Sequence, residues 1–167
     1  MLTERLTLCL FGQLSSGVSG MADGGYRSVA MTPERAKVLI VDDEMMIRRV
    51  VRGLLHHMGI VDVDEACDGA EALELFQMRD YDLVLSDWNM PRVTGLELLK
   101  TIRHGTSRHQ TPVLLVSAEV SHHRRVEALA CGANSFITKP FDATTLCDHV
   151  LSIVSRIPEP NETHVPL

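Results

Sequence analysis

The chain has 167 residues, 45% of them hydrophobic, and a formal net charge of −6. That length supports one ordinary domain with a sizeable core, and the composition indicates a globular fold rather than disorder. The acidic balance excludes the basic surface a nucleic-acid binder needs, and no apolar run reaches the roughly 18 residues of a membrane span.

Residues 1–36 lack periodicity and are rich in glycine and serine (Gly12, Ser15, Ser16, Gly17, Ser19, Gly20, Gly24, Gly25). This composition reads as a flexible N-terminal extension. Met21 and Met31 are alternative starts, which leaves the extension open as a gene-model artefact. The apolar run Leu6–Phe11 behind Arg5 is too short for a signal peptide, and no clear cleavage site follows. Cys9, Cys67, Cys131 and Cys147 form no CxxC pair and have no histidine at zinc-ligand spacing. Reduced thiols in the cytoplasm are therefore expected.

From residue 37 onward, strand and helix signals alternate. Apolar runs at 37–41, 61–66, 82–86, 113–117 and 135–138 predict five strands. The spacing predicts helices over 44–58 (Ile47, Val50, Val51, Leu54, Leu55 and Met58 inward) and over 69–79, after Asp68 as a cap. Three more are predicted over 94–103, over 121–131 (Val126, Leu129 and Ala130 inward, stopped by Gly132) and over 142–156. Residues 157–167 read as a disordered C-terminal tail, leaving 37–156 as the domain. Five βα units of this length imply an α/β fold, a doubly wound five-stranded parallel sheet flanked by five helices. Such sheets bind ligands beyond the carboxyl ends of their strands.

Charged residues stand at three of those ends: Asp42-Asp43 after the first strand, Asp87 at the third, and Lys139 after the fifth. Taken singly, an acid pair is more often a helix cap, a strand-end aspartate a turn residue, and Lys-Pro an ordinary turn. Their combination in one parallel sheet points instead to a site. Clustered carboxylates select a hard cation, and Mg²⁺ suits one or two carboxylates with carbonyl and water oxygens. Asp43 and Asp87 are the expected direct ligands, Asp42 acts directly or through water, and the Asn89 backbone carbonyl completes the set. A cation with a lysine opposite makes a phosphoryl receptor, and a carboxylate can be the nucleophile. Asp87, alone on its strand, is the candidate phosphoryl acceptor, with Lys139 and the Ser117 hydroxyl taking phosphoryl oxygens.

These residues resemble the receiver domain of two-component response regulators over residues 37–155. The matching segments are Leu39-Ile40-Val41-Asp42-Asp43-Glu44, Ser86-Asp87-Trp88-Asn89-Met90-Pro91, Val116-Ser117-Ala118-Glu119 and Ile137-Thr138-Lys139-Pro140-Phe141. The stretch Asp87–Arg103 is most similar to the single-domain, CheY-like chemotaxis members of that family. The resemblance implies the flavodoxin-like strand order 2-1-3-4-5 and a phosphoryl group delivered by a cognate histidine kinase or phosphotransfer protein with Mg²⁺ as cofactor. It also implies a switch pair, Ser117 and Phe136, in which the hydroxyl swings toward the phosphate as the ring turns inward. Asn89 and Glu119 would tune hydrolysis, and the Lys139-Pro140 bond would be cis. Phe136 stands where the chemotaxis members carry tyrosine, Ser117 where threonine is commoner, and Val93-Thr94 where Met-Asp is frequent.

The expectation is therefore a stand-alone, monomeric response regulator rather than an enzyme in its own right. It would switch a downstream protein partner through the face made by the fourth helix, fifth strand and fifth helix, with chemotaxis or motility as the output. The signal on that face is His122-His123-Arg124-Arg125 with Phe136, and the helix residues read equally well as a solvated surface. The alternatives are a phosphorelay intermediate or phosphate sink, and, from another class, a haloacid-dehalogenase-like phosphatase. The latter needs D-x-D after its first strand, where this chain has adjacent acids.

Overall fold

The computed structural model describes residues 31–119 and 121–158. Of the extension expected at 1–36 and the tail expected at 157–167, residues 1–30 and 159–167 lie outside the described residues. Five strands, β1 (Lys37–Val41), β2 (Asp62–Ala66), β3 (Leu83–Asp87), β4 (Val113–Ser117) and β5 (Ser135–Thr138), pair in parallel in the order β2-β1-β3-β4-β5. Between and after them run α1 (Met45–His57), α2 (Gly69–Met78), α3 (Gly95–Gly105), α4 (His122–Ala130) and α5 (Ala143–Val154). The fold class and strand order implied by the sequence are those observed.

The strands divide by composition as their positions demand. Leu83-Val84-Leu85 in β3 and Val113-Leu114-Leu115-Val116 in β4 are buried on both faces, as in strands covered by helices. Alternate residues feed two cores. Leu39, Val41, Val84 and Leu115 meet Phe76 of α2, Leu99 of α3 and Ala128 of α4 on one face. Val38, Ile40, Leu85 and Leu114 meet Leu55 of α1 and Val150 of α5 on the other. The helices change faces between β1, which is followed by Asp42, and β3, which ends at Asp87. β2 lies at the edge, where Asp62 and Asp64 are tied to Arg79 and Glu65 to Arg52. Charges along an exposed strand discourage pairing with another chain.

Three local expectations change. Val50 points to solvent at 54% exposure, so the buried stripe of α1 is narrower than predicted and centres on Val51 and Leu55. In α4 the predicted Val126 and Leu129 are half exposed, Ala130 is exposed, and Ala128 is the buried residue. A small side chain lets that short helix approach the sheet on a phase that larger apolar residues had obscured. Before β1, Met31 and Ala36 join the α1–α5 core around a single 3₁₀ turn at Pro33–Arg35, and the Met31 N–H donates to the Ile157 carbonyl at 2.9 Å.

Candidate functional site

Parallel register brings the strand ends into one row: Val41 lies beside Ser86, Asp87 beside Val116, and Ser117 beside Thr138. Asp42 and Asp87 are both buried, at 4% and 7% exposure, and Lys139 reaches between them. Its Nζ lies 2.6 Å from Asp87 Oδ1 and 2.9 Å from Asp42 Oδ2. The other oxygen of each acid is held by the backbone. The Asn89 N–H donates to Asp87 Oδ2 at 2.6 Å, and the Glu44 N–H donates to Asp42 Oδ1 at 2.8 Å.

Burial pushes the Asp87 carboxyl above the ordinary carboxylate range. The charge of Asp42 pushes the same way, against the pull of Lys139 and the Asn89 N–H. Burial alone would lower the Lys139 ammonium, but the hydrogen bonds and charges of Asp87 and Asp42 outweigh it and hold it above its usual value. The protonated lysine is thus clamped between two buried acids, and burial opposes ionisation of Asp87.

The acids are not serving as ordinary helix caps. Glu44 begins α1 without a side-chain cap, whereas α2 and α3 are capped. Asp68 accepts from the Ala70 and Glu71 N–H groups, and Thr94 forms a capping box with Glu97. Gly95, the first residue of α3, lies against the end of β3. A Cβ there would sit 2.0 Å from the Asp87 carbonyl oxygen, so only glycine fits.

Ser117 is fully buried at the end of β4, and its Oγ accepts from the Glu119 N–H at 3.1 Å. Among the described residues it shares no hydrogen bond with Asp87. Phe136 is already packed inward, edge-on to Trp88 with ring centroids 6.2 Å apart. It therefore adds almost nothing to the surface of α4, β5 and α5. The Lys139-Pro140 bond is cis.

The donor set suits a hard cation: Asp42 and Asp87 carry excess negative charge in a buried place, and Asp43 is exposed beside them. Among the described residues, however, no three His, Cys, Asp or Glu side chains are gathered into a ready-made ligand cluster. Lys139 draws two of the three acids to itself.

Periodicity gave no sign of two arginines beside this site. Arg48 of α1 donates through Nη1 to the Asp42 carbonyl at 2.6 Å and through Nε to Glu65 at 3.1 Å. Arg124 of α4 reaches Asn89 and Glu119. Both read in the sequence as helix-surface cations, because their partners lie on other elements.

The family model described as the response regulator receiver domain matches residues 38–151. Chemotaxis protein CheY-3 of Vibrio cholerae serotype O1 is 40% identical over 128 residues, covering 77% of this chain and 98% of that protein. Chemotaxis protein CheY of Pseudomonas aeruginosa is 37% identical over 121 residues, covering 72% and 98%. Among solved structures, chemotaxis protein CheY4 of Vibrio cholerae aligns with a TM-score of 0.66 at 39% identity, over 71% of this chain and 98% of that one. The receiver domain of the Francisella response regulator 1452 aligns with a TM-score of 0.68 at 35% identity, over 73% and 98%. No helix among the described residues is long and apolar enough to cross a membrane. With the strand order, the strand-end acids and the bridging lysine, these matches make the chain a member of the response regulator receiver domain family.

Proposed function

We propose that Asp87 accepts a phosphoryl group from a histidine kinase or phosphotransfer protein, and that this switches binding of a protein partner. The observation that carries the reading is Lys139 Nζ at 2.6 Å from Asp87 and 2.9 Å from Asp42. An ammonium held at a strand-end carboxylate is placed for a phosphoryl oxygen once that carboxylate becomes the nucleophile. The donor's P–N bond breaks as a bond forms between an Asp87 oxygen and phosphorus, and the imidazole leaves with the electron pair. Lys139 then trades its ion pair with Asp87 for one with the phosphoryl group. Asp42, Asp43, Asp87 and the Asn89 carbonyl would hold Mg²⁺, which supplies neutralisation of the phosphoryl charge.

Ser117 is the hydroxyl proposed to turn toward the new group, giving up the Glu119 N–H, while Phe136, its partner in the switch, keeps the inward position it already holds. The output face is α4-β5-α5, where Val126, Leu129, His122 and His123 are exposed. The similarity to chemotaxis proteins supports a motility partner, and we place the protein in the cytoplasm as a monomer. Its role is then to carry a signal, with turnover limited to its own phosphoryl group.

The test is incubation with acetyl phosphate and Mg²⁺, followed by mass analysis of wild type and Asp87→Asn. A base-labile gain of one phosphoryl group, absent from Asp87→Asn, is the expected result. No gain, or an equal gain in both proteins, would overturn the reading. Removal of Mg²⁺ with a chelator should abolish the gain in wild type.

A further inference from the structure

The N-terminal half of α4 is loosely attached. Its N-cap, Ser121, makes no side-chain cap bond, and Ala128 is the one buried residue of the helix. Against that background Arg124 makes three contacts at once. Its Nη1 donates to Asn89 Oδ1 at 3.1 Å, its Nη2 lies 2.8 Å from Glu119 Oε2, and its guanidinium stands 5.2 Å from the Trp88 ring centre. A lone surface ion pair contributes little, but a planar fork that meets two acceptors and an aromatic face is fixed in orientation.

The two residues it grips have a further property in common. The Asn89 N–H donates to Asp87 Oδ2, and the Glu119 N–H donates to Ser117 Oγ. Arg124 therefore holds the side chains of the residues whose main-chain groups orient the acceptor carboxylate and the buried hydroxyl. It also stretches from α4 across both loops that border Asp87.

We propose that Arg124 is a positioning residue that braces Asn89 and Glu119 beside Asp87 and so lengthens the life of the aspartyl phosphate. This rests on the reading of Asp87 as acceptor. In hydrolysis a water oxygen bonds to phosphorus and the Asp87 O–P bond breaks. The carboxylate is regenerated, inorganic phosphate leaves, and the water's proton passes to phosphate or solvent. With the brace in place, the two side chains and the guanidinium occupy the border of the acceptor. Without it, Asn89 and Glu119 swing free and water gains approach.

The experiment follows decay of the phosphorylated protein after donor is removed, in wild type, Arg124→Ala, Arg124→Lys, Glu119→Gln and the Arg124→Ala/Glu119→Gln double variant. Arg124→Ala should lose the phosphoryl group about two- to five-fold faster, the range a single charged contact supplies. Arg124→Lys keeps the charge but not the fork and should fall between. Glu119→Gln should speed decay less, and the double variant should decay no faster than Arg124→Ala, since both changes break one linked contact. Emission of the unphosphorylated protein should also shift in Arg124→Ala, because Trp88 is the single tryptophan.

Decay of Arg124→Ala at the wild-type rate, or strictly additive effects of the two substitutions, would overturn the proposal. If Arg124→Ala melts early, the Arg124→Lys and Glu119→Gln comparison reads the same coupling in folded protein. If wild type takes up no phosphoryl group on Asp87, the acceptor reading falls and this inference falls with it. If it does and Arg124→Ala is unchanged, only this inference falls.

Discussion

Asp87 sits where burial disfavours its charged form. Burial raises its carboxyl above the ordinary 3.8, so the folded protein holds that proton more tightly than the unfolded chain does. Stability from this group is therefore greatest below about 3.8, falls as pH rises through the raised value, and stays lowered at neutral pH. Asp87→Asn removes the loss and should melt a few degrees higher than wild type at pH 7, with the gap closing toward pH 3. An unchanged or lower melting temperature at pH 7 would mean that Lys139 fully offsets the burial.

Lys139 is shifted in the same direction but titrates far higher, so its contribution is intact at neutral pH. Its raised value adds stability that is present below 10.5 and is lost as pH climbs through the folded value. Lys139→Ala should destabilise wild type at pH 7 by about 2 kcal/mol in chemical denaturation, since it strands two buried acids. The same change should matter less in the Asp87→Asn background. Asp42, Asp87 and Lys139 were legible in the sequence because each ends an apolar run. Arg48 and Arg124 were not, since a surface arginine looks alike whether it meets water or a distant loop.

At the level of elements, sequence periodicity placed every strand and helix of the sheet close to its observed bounds. The apolar runs are short, separate and flanked by clear stops such as Gly132, which adopts a φ of 93° after α4. Hydrophobic phase was less legible where a helix touches the core through something small. α4 rests on Ala128, which an apolar count ranks below Val126 and Leu129. The start of α3 carries a constraint of another kind, a close approach rather than a pattern. Gly95 N–H donates to the Trp88 carbonyl at 3.0 Å, and an added Cβ would collide with the Asp87 carbonyl oxygen and lie 2.9 Å from Ser86 Oγ. Alanine normally favours a helix over glycine, yet Gly95→Ala should destabilise by about 1–3 kcal/mol. The collision falls on backbone, which has no free rotamer to yield. Denaturant melts would check the loss, and slower uptake of phosphoryl from acetyl phosphate would show that the displaced strand end carries Asp87 with it. A stable, fully reactive Gly95→Ala would mean that the α3 start shifts away freely.

At the scale of the molecule, what no local window reveals is contact across great separation, as between Lys139 and Asp42, 97 residues apart. Strand order entered with the family resemblance for that reason. The same architecture distributes rigidity unevenly. α5 buries Leu146, Cys147, Val150, Ile153 and Val154, and α3 buries Leu98, Leu99 and Ile102. α4 buries one residue and is otherwise joined to the site by Arg124. Local opening costs least where few apolar contacts must break. In hydrogen exchange, α4 amides should therefore exchange fastest among the five helices of the free protein. A phosphoryl mimic such as beryllofluoride with Mg²⁺ changes charge beside Asn89 and Ser117, the groups linked to α4 through Arg124 and Glu119. Any population shift should accordingly appear first in α4 and the loop before it, while α1 and α5 stay as protected as before. Trp88, buried between Phe136 and Arg124, should change its emission in the same titration, and Asp87→Asn should abolish both responses. Exchange that changed evenly over all five helices, or in α1 alone, would show that the site speaks to the molecule by another route. Output would then have to be sought away from the α4-β5-α5 face.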